Sequence, residues 1–172
     1  NSALSAGQIA TLYANQNTAP TAPAAIVASY LFNNNTLDNT SYANHAQAKD
    51  VKSTTNRFGY GNSAYAFNGT SSEIEAANSA HLNSNYATVA FWVKPNSLPA
   101  SGEVFLLSFG GWQERFKISV PSHGKPVWTT NNSSGISDMD SGDGNTLTPG
   151  TWKHVAFVHD GTNDKVFING VQ

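Results

Sequence analysis

From Ile26 onward, the chain consists of short runs of β-branched and aromatic residues that alternate with polar ones, and turns containing Gly or Asn separate these runs. The longest run covers residues 86–95 and ends at Pro95, which cannot donate to a strand ladder. About ten such runs follow one another without a helical period between them. This spacing is typical of antiparallel sandwiches. The sequence therefore predicts an all-β fold, an antiparallel two-sheet β-sandwich or jelly roll, with a short N-terminal helix.

The same runs predict which side chains form the core. His154 lies within an apolar strand and is expected to be a buried or half-buried structural residue, because an isolated histidine there is rarely a metal ligand. His45 is also expected to be structural. The large apolar residues expected to form most of the core are Phe91, Trp92, Val93, Phe105, Leu107, Phe116, Ile118, Val155, Phe157, Phe167 and Ile168.

Composition excludes several classes of protein. Only 12% of the 172 residues are charged and the net charge is −2, so no basic field for nucleic acid exists. No stretch approaches the ~20 apolar residues of a membrane span, and no membrane insertion is expected. The chain has no cysteine, which rules out a disulfide framework and thiol chemistry.

The N-terminal segment carries a helix-start signature. Ser5 and Gln8 have the spacing of a capping box, and Leu4 and Ile9 occupy the positions of a hydrophobic staple. A helix of two or three turns is too short to be stable alone, so it must dock on another part of the structure. The residues expected to be buried against a sandwich are Ile9, Leu12 and Tyr13.

Four segments resemble, in chain order, the successive motifs of laminin-G-like domains. They read "VASYLFNNNTLDNTSYANHA", "RFGYGNSAYAFNGTSSEIE", "ATVAFWVKP" and "GTWKHVAFVHDGTNDKVFINGV", and the last is the most specific. Laminin-G-like domains belong to the concanavalin A-like group of lectin and glucanase sandwiches. The resemblance implies a secreted or cell-surface protein whose partners are glycans or components of the cell surface or matrix.

The resemblance also implies a division of the chain. In the family, the final hairpin is followed by further strands and by a closing phrase similar to "IYNSALSAGQIATLY", which stands at the front here. Residues 1–16 then resemble the end of a preceding laminin-G-like domain, 17–25 form a linker, and 26–172 form a laminin-G-like sandwich without its last strands. We expect a neighbouring domain, another chain or residues outside this sequence to supply those strands.

Glu73 and Glu75 are the strongest candidates for catalysis. Residues two apart on a strand project from the same face about 7 Å apart, a separation that glycosidases use. The retaining glucanases of the same group carry a Glu-x-Asp-x-x-Glu type strand, but here Asn78 stands in place of the last acid. Asn cannot deliver the proton of a general acid. We therefore expect both glutamates to be solvated, no residue to be catalytic, and the chain not to be an enzyme.

The segment "SDMDSGDGN" is the best metal candidate. Asp138, Asp140 and Asp143 supply the hard oxygen ligands that calcium prefers, although their spacing is not that of an EF-hand. Laminin-G-like domains often bind calcium near the rim of the sandwich. Two interpretations stay open, a calcium site and a plain solvated turn.

Aromatic residues outside the long apolar runs are the candidates for ligand binding. Trp112 follows two glycines and precedes Gln113 and Arg115, which places a flat apolar face beside hydrogen-bonding groups, as sugar recognition requires. Trp128 and the glycine-flanked Tyr60 are further candidates. The alternative for Trp112 is that it folds under its loop into the core.

Three functions compete. The first is a non-catalytic, extracellular carbohydrate-binding or adhesion module of a larger protein. The second is a structural or spacer domain of a repetitive surface adhesin or filament, without a ligand of its own. The third is a glucanase-type glycoside hydrolase, which the missing acid disfavours.

Overall fold

The computed structural model describes residues 3–14, 26–110, 116–132 and 135–172. Two compact units make up the chain: unit 1 contains Asn1–Ala19 and Asn85–Gln172, and unit 2 contains Pro20–Ser84. The helix and strands of the described residues are α1 (Ala6–Ala14), β1 (Ala46–Lys49), β2 (Lys52–Thr54), β3 (Ala64–Ala66), β4 (Glu73–Ala76), β5 (Ala87–Val93), β6 (Glu103–Phe109), β7 (Phe116–Pro121), β8 (Val127–Asn132), β9 (Gly135–Asp140), β10 (Lys153–His159) and β11 (Asp164–Ile168).

Every pairing between these strands is antiparallel, which confirms the predicted antiparallel, mainly β fold. Within the described residues, no helix is long and apolar enough to cross a membrane.

Unit 1 contains two sheets that pack face to face. One has the strand order β11-β10-β5 and the other the order β6-β7-β8-β9. Alternate side chains of each sheet point into a shared core, where the Trp128 ring of one sheet stacks on the Phe157 ring of the other at 5.6 Å. The buried residues of this core are Phe116, Ile118, Val120, Trp128, Leu147, Val155, Phe157, Val166 and Ile168. This arrangement is that of a β-sandwich.

Helix α1 covers the outer face of the three-stranded sheet. Its one buried residue, Ile9, packs with Ala156, Val158 and Phe167, which alternate with the core-facing residues of β10 and β11. Tyr13 stacks on Trp92 with ring centroids 5.8 Å apart. The predicted docking is therefore confirmed for Ile9, whereas Leu12 is half-buried and Tyr13 is 38% exposed.

The predicted capping box is present at the start of α1. The backbone N–H of Ser5 donates to Gln8 Oε1 at 2.8 Å, and the backbone N–H of Gln8 donates to Ser5 Oγ at 3.3 Å. Leu4 and Ile9 lie in the same cluster, as expected of a staple. The local sequence thus fixes where this helix begins.

His154 is fully buried on the helix-facing side of β10, as predicted for a structural residue. Its ring lies 5.9 Å from that of Tyr13 and 5.5 Å from that of Trp92.

Unit 2 is built from short strands and a loop that is organised by one acid. Strand β1 pairs with β4, and β2 pairs with β3. The buried Asp38 carboxylate accepts hydrogen bonds from the backbone N–H groups of Ser29, Thr40 and Asn44 and from the Thr40 hydroxyl. Burial opposes ionisation of Asp38, but these hydrogen bonds outweigh it and hold its pKa below the usual value. His45 has the expected structural role, because its Nδ1 accepts from the Asp38 N–H.

Two expectations about strands are wrong. The run from Ile26 to Phe32 is not a strand, and only Tyr30 forms an isolated bridge, with Asp38. Phe105 is 51% exposed and does not belong to the core. A β-bulge between Phe105 and Leu107 shifts the register of β6, so Leu107 packs against the core while Phe105 turns to the opposite face.

Candidate functional site

The outer face of the four-stranded sheet of unit 1 is polar. On β7, Phe116, Ile118 and Val120 enter the core, so Lys117 and Ser119 point to the other side. Cross-strand register places Thr129 beside Lys117 and Asp138 beside Thr129. Strand alternation therefore gathers polar side chains from four strands on one surface.

A pocket of about 400 Å³ opens on this surface, and we call it the outer-face pocket. Its lining comes from all four strands and consists of Glu103, Lys117, Pro121, Val127, Asp138 and Asp140. Four of these six residues are charged, so the pocket offers mainly polar groups to a ligand.

The floor of the outer-face pocket is a fixed polar network. Lys117 pairs with Glu103, and Ser119 Oγ donates to Glu103 Oε2 at 2.6 Å. Burial opposes ionisation of Glu103, but the hydrogen bonds from Lys117 and Ser119 and the Lys117 charge outweigh it, so the pKa of Glu103 lies below its usual value. Lys117 and Ser119 are buried, which keeps this network in one geometry.

Two of the predicted calcium ligands, Asp138 and Asp140, line one side of the pocket, and Asp143 lies outside the lining. Asp138 accepts from Thr129 Oγ1 at 2.5 Å. The Lys125 ammonium lies 2.7 Å from Asp143 and 3.9 Å from Asp140, so two of the three predicted ligands already face a cationic side chain. Among the described residues, no group of three or more His, Asp or Glu side chains could hold a metal ion.

This lysine also changes the ionisation of its neighbour. The hydrogen bond from Lys125 holds the pKa of Asp143 below its usual value, and the same contact raises the pKa of Lys125. The Lys125 ammonium therefore offsets part of the negative charge of this segment.

An exposed aromatic ring borders the outer-face pocket. Phe105 is paired with Ser119 across the β6–β7 ladder and follows Glu103 by two positions, so it projects from the same face. The Lys117 Nζ lies 4.8 Å from the centroid of its ring. The half-exposed ring offers the apolar surface on which the C–H face of a sugar can stack.

Trp128 does not have the predicted role. Its ring is fully buried between Phe116 and Phe157, at 4.8 and 5.6 Å, and no face is open to a ligand. The indole N–H donates to Asp164 Oδ1 at 2.9 Å, and His159 Nδ1 lies 2.7 Å from the same oxygen. Asp164 thus provides the hydrogen-bond partner that a buried indole requires, and Trp128 is a core residue.

Tyr60 is exposed at 68%, as its predicted role requires, on a loop of unit 2. Asn56 Oδ1 accepts from the backbone N–H groups of Phe58 and Tyr60 at 2.9 and 3.1 Å, which fixes the loop. The Arg57 guanidinium lies 4.0 Å above the Phe58 ring. The loop therefore presents two aromatic rings to solvent beside a half-buried cation.

The remaining predicted residues are placed as follows. Trp112, Gln113 and Arg115 lie outside the described residues. Glu73 and Glu75 are exposed on β4, and Glu73 pairs with Lys49 at 2.8 Å, which confirms that they are solvated.

Sequence reasoning missed Glu103, Lys117 and Phe105, although Lys117 carried a signal. The run "FKISV" alternates apolar and polar residues, so Lys117 and Ser119 had to share a face. Only the cross-strand register, which no local pattern reveals, brings Glu103 to them.

Comparison with known proteins agrees with this architecture. Residues 68–172, more than half of the chain, match the laminin-G-like family model described as the concanavalin A-like lectin/glucanases superfamily. One similar solved structure is domain 4 of AbnA, a GH43 extracellular arabinanase from Geobacillus stearothermophilus, in complex with arabinotriose. The sequence identity is 26% and the TM-score 0.62, with 84% of this chain and 71% of that chain covered.

Among functionally curated proteins, none matches the sequence. The resemblance seen in the sequence motifs is nevertheless confirmed by the family match. The chain belongs to the laminin-G-like domains of the concanavalin A-like lectin/glucanases superfamily.

Proposed function

We propose that this chain is a non-catalytic carbohydrate-binding module of a secreted or cell-surface protein, with a jelly-roll sandwich, and that the outer-face pocket holds the glycan. The observation that carries the proposal is the pocket itself, where carboxylate acceptors stand beside the exposed ring of Phe105. Carboxylates accept strong hydrogen bonds from sugar hydroxyls, and an aromatic face packs on sugar C–H groups. The relative solved with arabinotriose supports the same class of ligand.

The ionisation of the pocket favours binding over catalysis. A glycosidase acid must hold its proton near neutral pH, which requires a raised pKa. The pKa of Glu103 is instead held below its usual value, and both of its oxygens already accept hydrogen bonds from the protein. Glu103 therefore serves as a fixed anion and acceptor in this proposal.

Calorimetric titration with arabinotriose tests the proposal. We expect saturable binding, and Phe105→Ala should weaken it roughly 2–10-fold, the effect of one lost aromatic contact. The control is Tyr86→Ala, which removes an exposed ring of unit 1 that lies against Gly161 and outside the pocket. Equal weakening by both variants, or unchanged affinity in Phe105→Ala, would remove the pocket from the proposal.

The same titration covers the predictions that concern other residues. Trp112→Ala should weaken binding and leave the melting temperature nearly unchanged if its ring contacts the glycan. Repeating the titration with calcium and with a chelator tests the calcium dependence expected for Asp138, Asp140 and Asp143, against which the Lys125 contacts argue.

A structural or spacer role is the alternative. Among the described strands, β11 lies at an edge of its sheet, and an open edge is a template for pairing with another chain. Failure of every neutral and acidic glycan to bind, together with concentration-dependent association in light scattering, would favour the spacer.

A further inference from the structure

We propose that the outer-face pocket selects uncharged oligosaccharides and excludes glycans with carboxylate or sulfate groups, an inference that rests on the proposed function. Three carboxylates, those of Glu103, Asp138 and Asp140, line the pocket, against the single ammonium of Lys117. The charge of the lining thus has the wrong sign for an acidic glycan.

Lys117 does not provide a docking point for an anion. Its ammonium pairs with Glu103 at the pocket floor, and its side chain is only 10% exposed. The same ammonium lies 4.8 Å from the Phe105 ring centroid, so the ring covers it from one side. An acidic sugar would have to displace Glu103 to reach this charge, and the displaced carboxylate would lose its partner.

Lys125, the other lysine near the pocket, is also neutralised. Its ammonium lies between Asp143 and Asp140, at 2.7 and 3.9 Å. When Asp143 and Lys125 are counted together with the lining, the pocket and its surroundings hold four carboxylates and two ammonium groups. An anion about 4 Å from one uncompensated carboxylate is disfavoured roughly fivefold even at the dielectric constant of water.

The chemistry that the pocket accepts follows from its free acceptors. An ionised carboxylate accepts hydrogen bonds and donates none, so Asp138 and Asp140 require ligand groups that donate. Neighbouring hydroxyls of a neutral pentose or hexose meet this requirement, while the ring C–H face can lie on Phe105. The ligand class is therefore a neutral oligosaccharide with free hydroxyl groups.

The test compares arabinotriose with trigalacturonic acid, one neutral and one acidic probe, by calorimetry on the full chain at low and physiological salt. We expect the acidic probe to bind at least about fivefold more weakly, with a smaller difference at higher salt because salt screens exposed charges. Asp140→Asn should reduce that preference about fivefold. Glu75→Gln is the control, because it also removes one exposed carboxylate, which lies on β4 and belongs neither to the lining nor to the Lys125 contacts; it should change the preference less than about twofold.

The outcomes separate the inference from the function on which it rests. Equal affinity for both probes, or a preference that Asp140→Asn and Glu75→Gln alter equally, overturns charge selection while glycan binding stands. Tighter binding of the acidic probe also overturns it. Absence of binding by both probes overturns the proposed function and the inference together. Circular dichroism of each variant confirms that the fold is retained, since the Asp140 side chain is 49% exposed and Glu75 is exposed on β4.

Discussion

Phe157→Ala is expected to destabilise unit 1 more than any exchange of an exposed aromatic residue. The Phe157 side chain is fully buried at the centre of the sandwich, 6.4 Å from the Phe91 ring and 5.6 Å from the Trp128 ring. Replacing a fully buried Phe by Ala removes its burial and leaves a cavity, which together cost ~3–5 kcal/mol. Because Trp128 and Phe91 belong to facing sheets, the cavity would lie between them and could not collapse without moving strands.

Thermal unfolding followed by circular dichroism measures this loss. For a chain of this length, ~3–5 kcal/mol corresponds to a fall of about 6–20 °C in the melting temperature. Phe105→Ala is the matched control, because it is the same exchange at a half-exposed ring on the other face of the four-stranded sheet. We expect it to cost no more than ~1.5 kcal/mol, from the general effect of surface exchanges and the lost contact with the Lys117 ammonium.

A melting temperature of Phe157→Ala within about 2 °C of the wild type, roughly the effect of a surface exchange, would refute the assignment of the core. Equal losses in both variants would show that the bulge in β6 does not turn Phe105 outward. In urea unfolding, Phe157→Ala should again be less stable than Phe105→Ala. The slope of the unfolding free energy against urea concentration should not change.

Three further predictions follow from contacts described above. Ile9→Ala should lower the free energy of unfolding by ~2–5 kcal/mol and speed amide exchange in α1. Ser5→Ala removes only the helix cap and should lower the free energy of unfolding by ~1 kcal/mol in the same measurement. Asp38→Asn should cost about 3 kcal/mol because two of its four donors lose an acceptor, and unchanged stability in urea would contradict the hydrogen-bond network. Since the pKa of Glu103 is lowered on folding, its stabilisation is complete above its ordinary value of 4.5 and is lost as the pH falls through the lower folded pKa. Melting temperatures of Glu103→Gln should therefore depend less on pH below 4.5 than those of the wild type, and identical curves would argue against the pairing with Lys117.

Local patterns in the sequence predicted those elements whose cause is local. The capping box at Ser5 and Gln8 depends on residues three positions apart, and the period of two in β10 places Val155 and Phe157 on one face. Both features were readable without knowledge of any distant contact.

Features that depend on pairing between distant residues could not be predicted in this way. Phe105 and Leu107 have the same parity in β6 and were assigned to the core together, but the bulge between them sends them to opposite faces. Trp128 is followed by polar residues, yet its pairing with Ile118 carries it into the core. The outer-face pocket exists only because the register of four strands brings Glu103, Lys117 and Asp138 together.

The docking of α1 also constrains the order of events during synthesis. Ile9 is covered by residues of β10 and β11, which leave the ribosome about 150 residues later. At roughly 5–20 residues per second, the apolar face of the helix stays without its partner for about 8–30 s, while the nine-residue helix is too short to persist alone. The nascent chain therefore carries an unprotected apolar segment during this interval, and a chaperone that binds such segments would have that time to act.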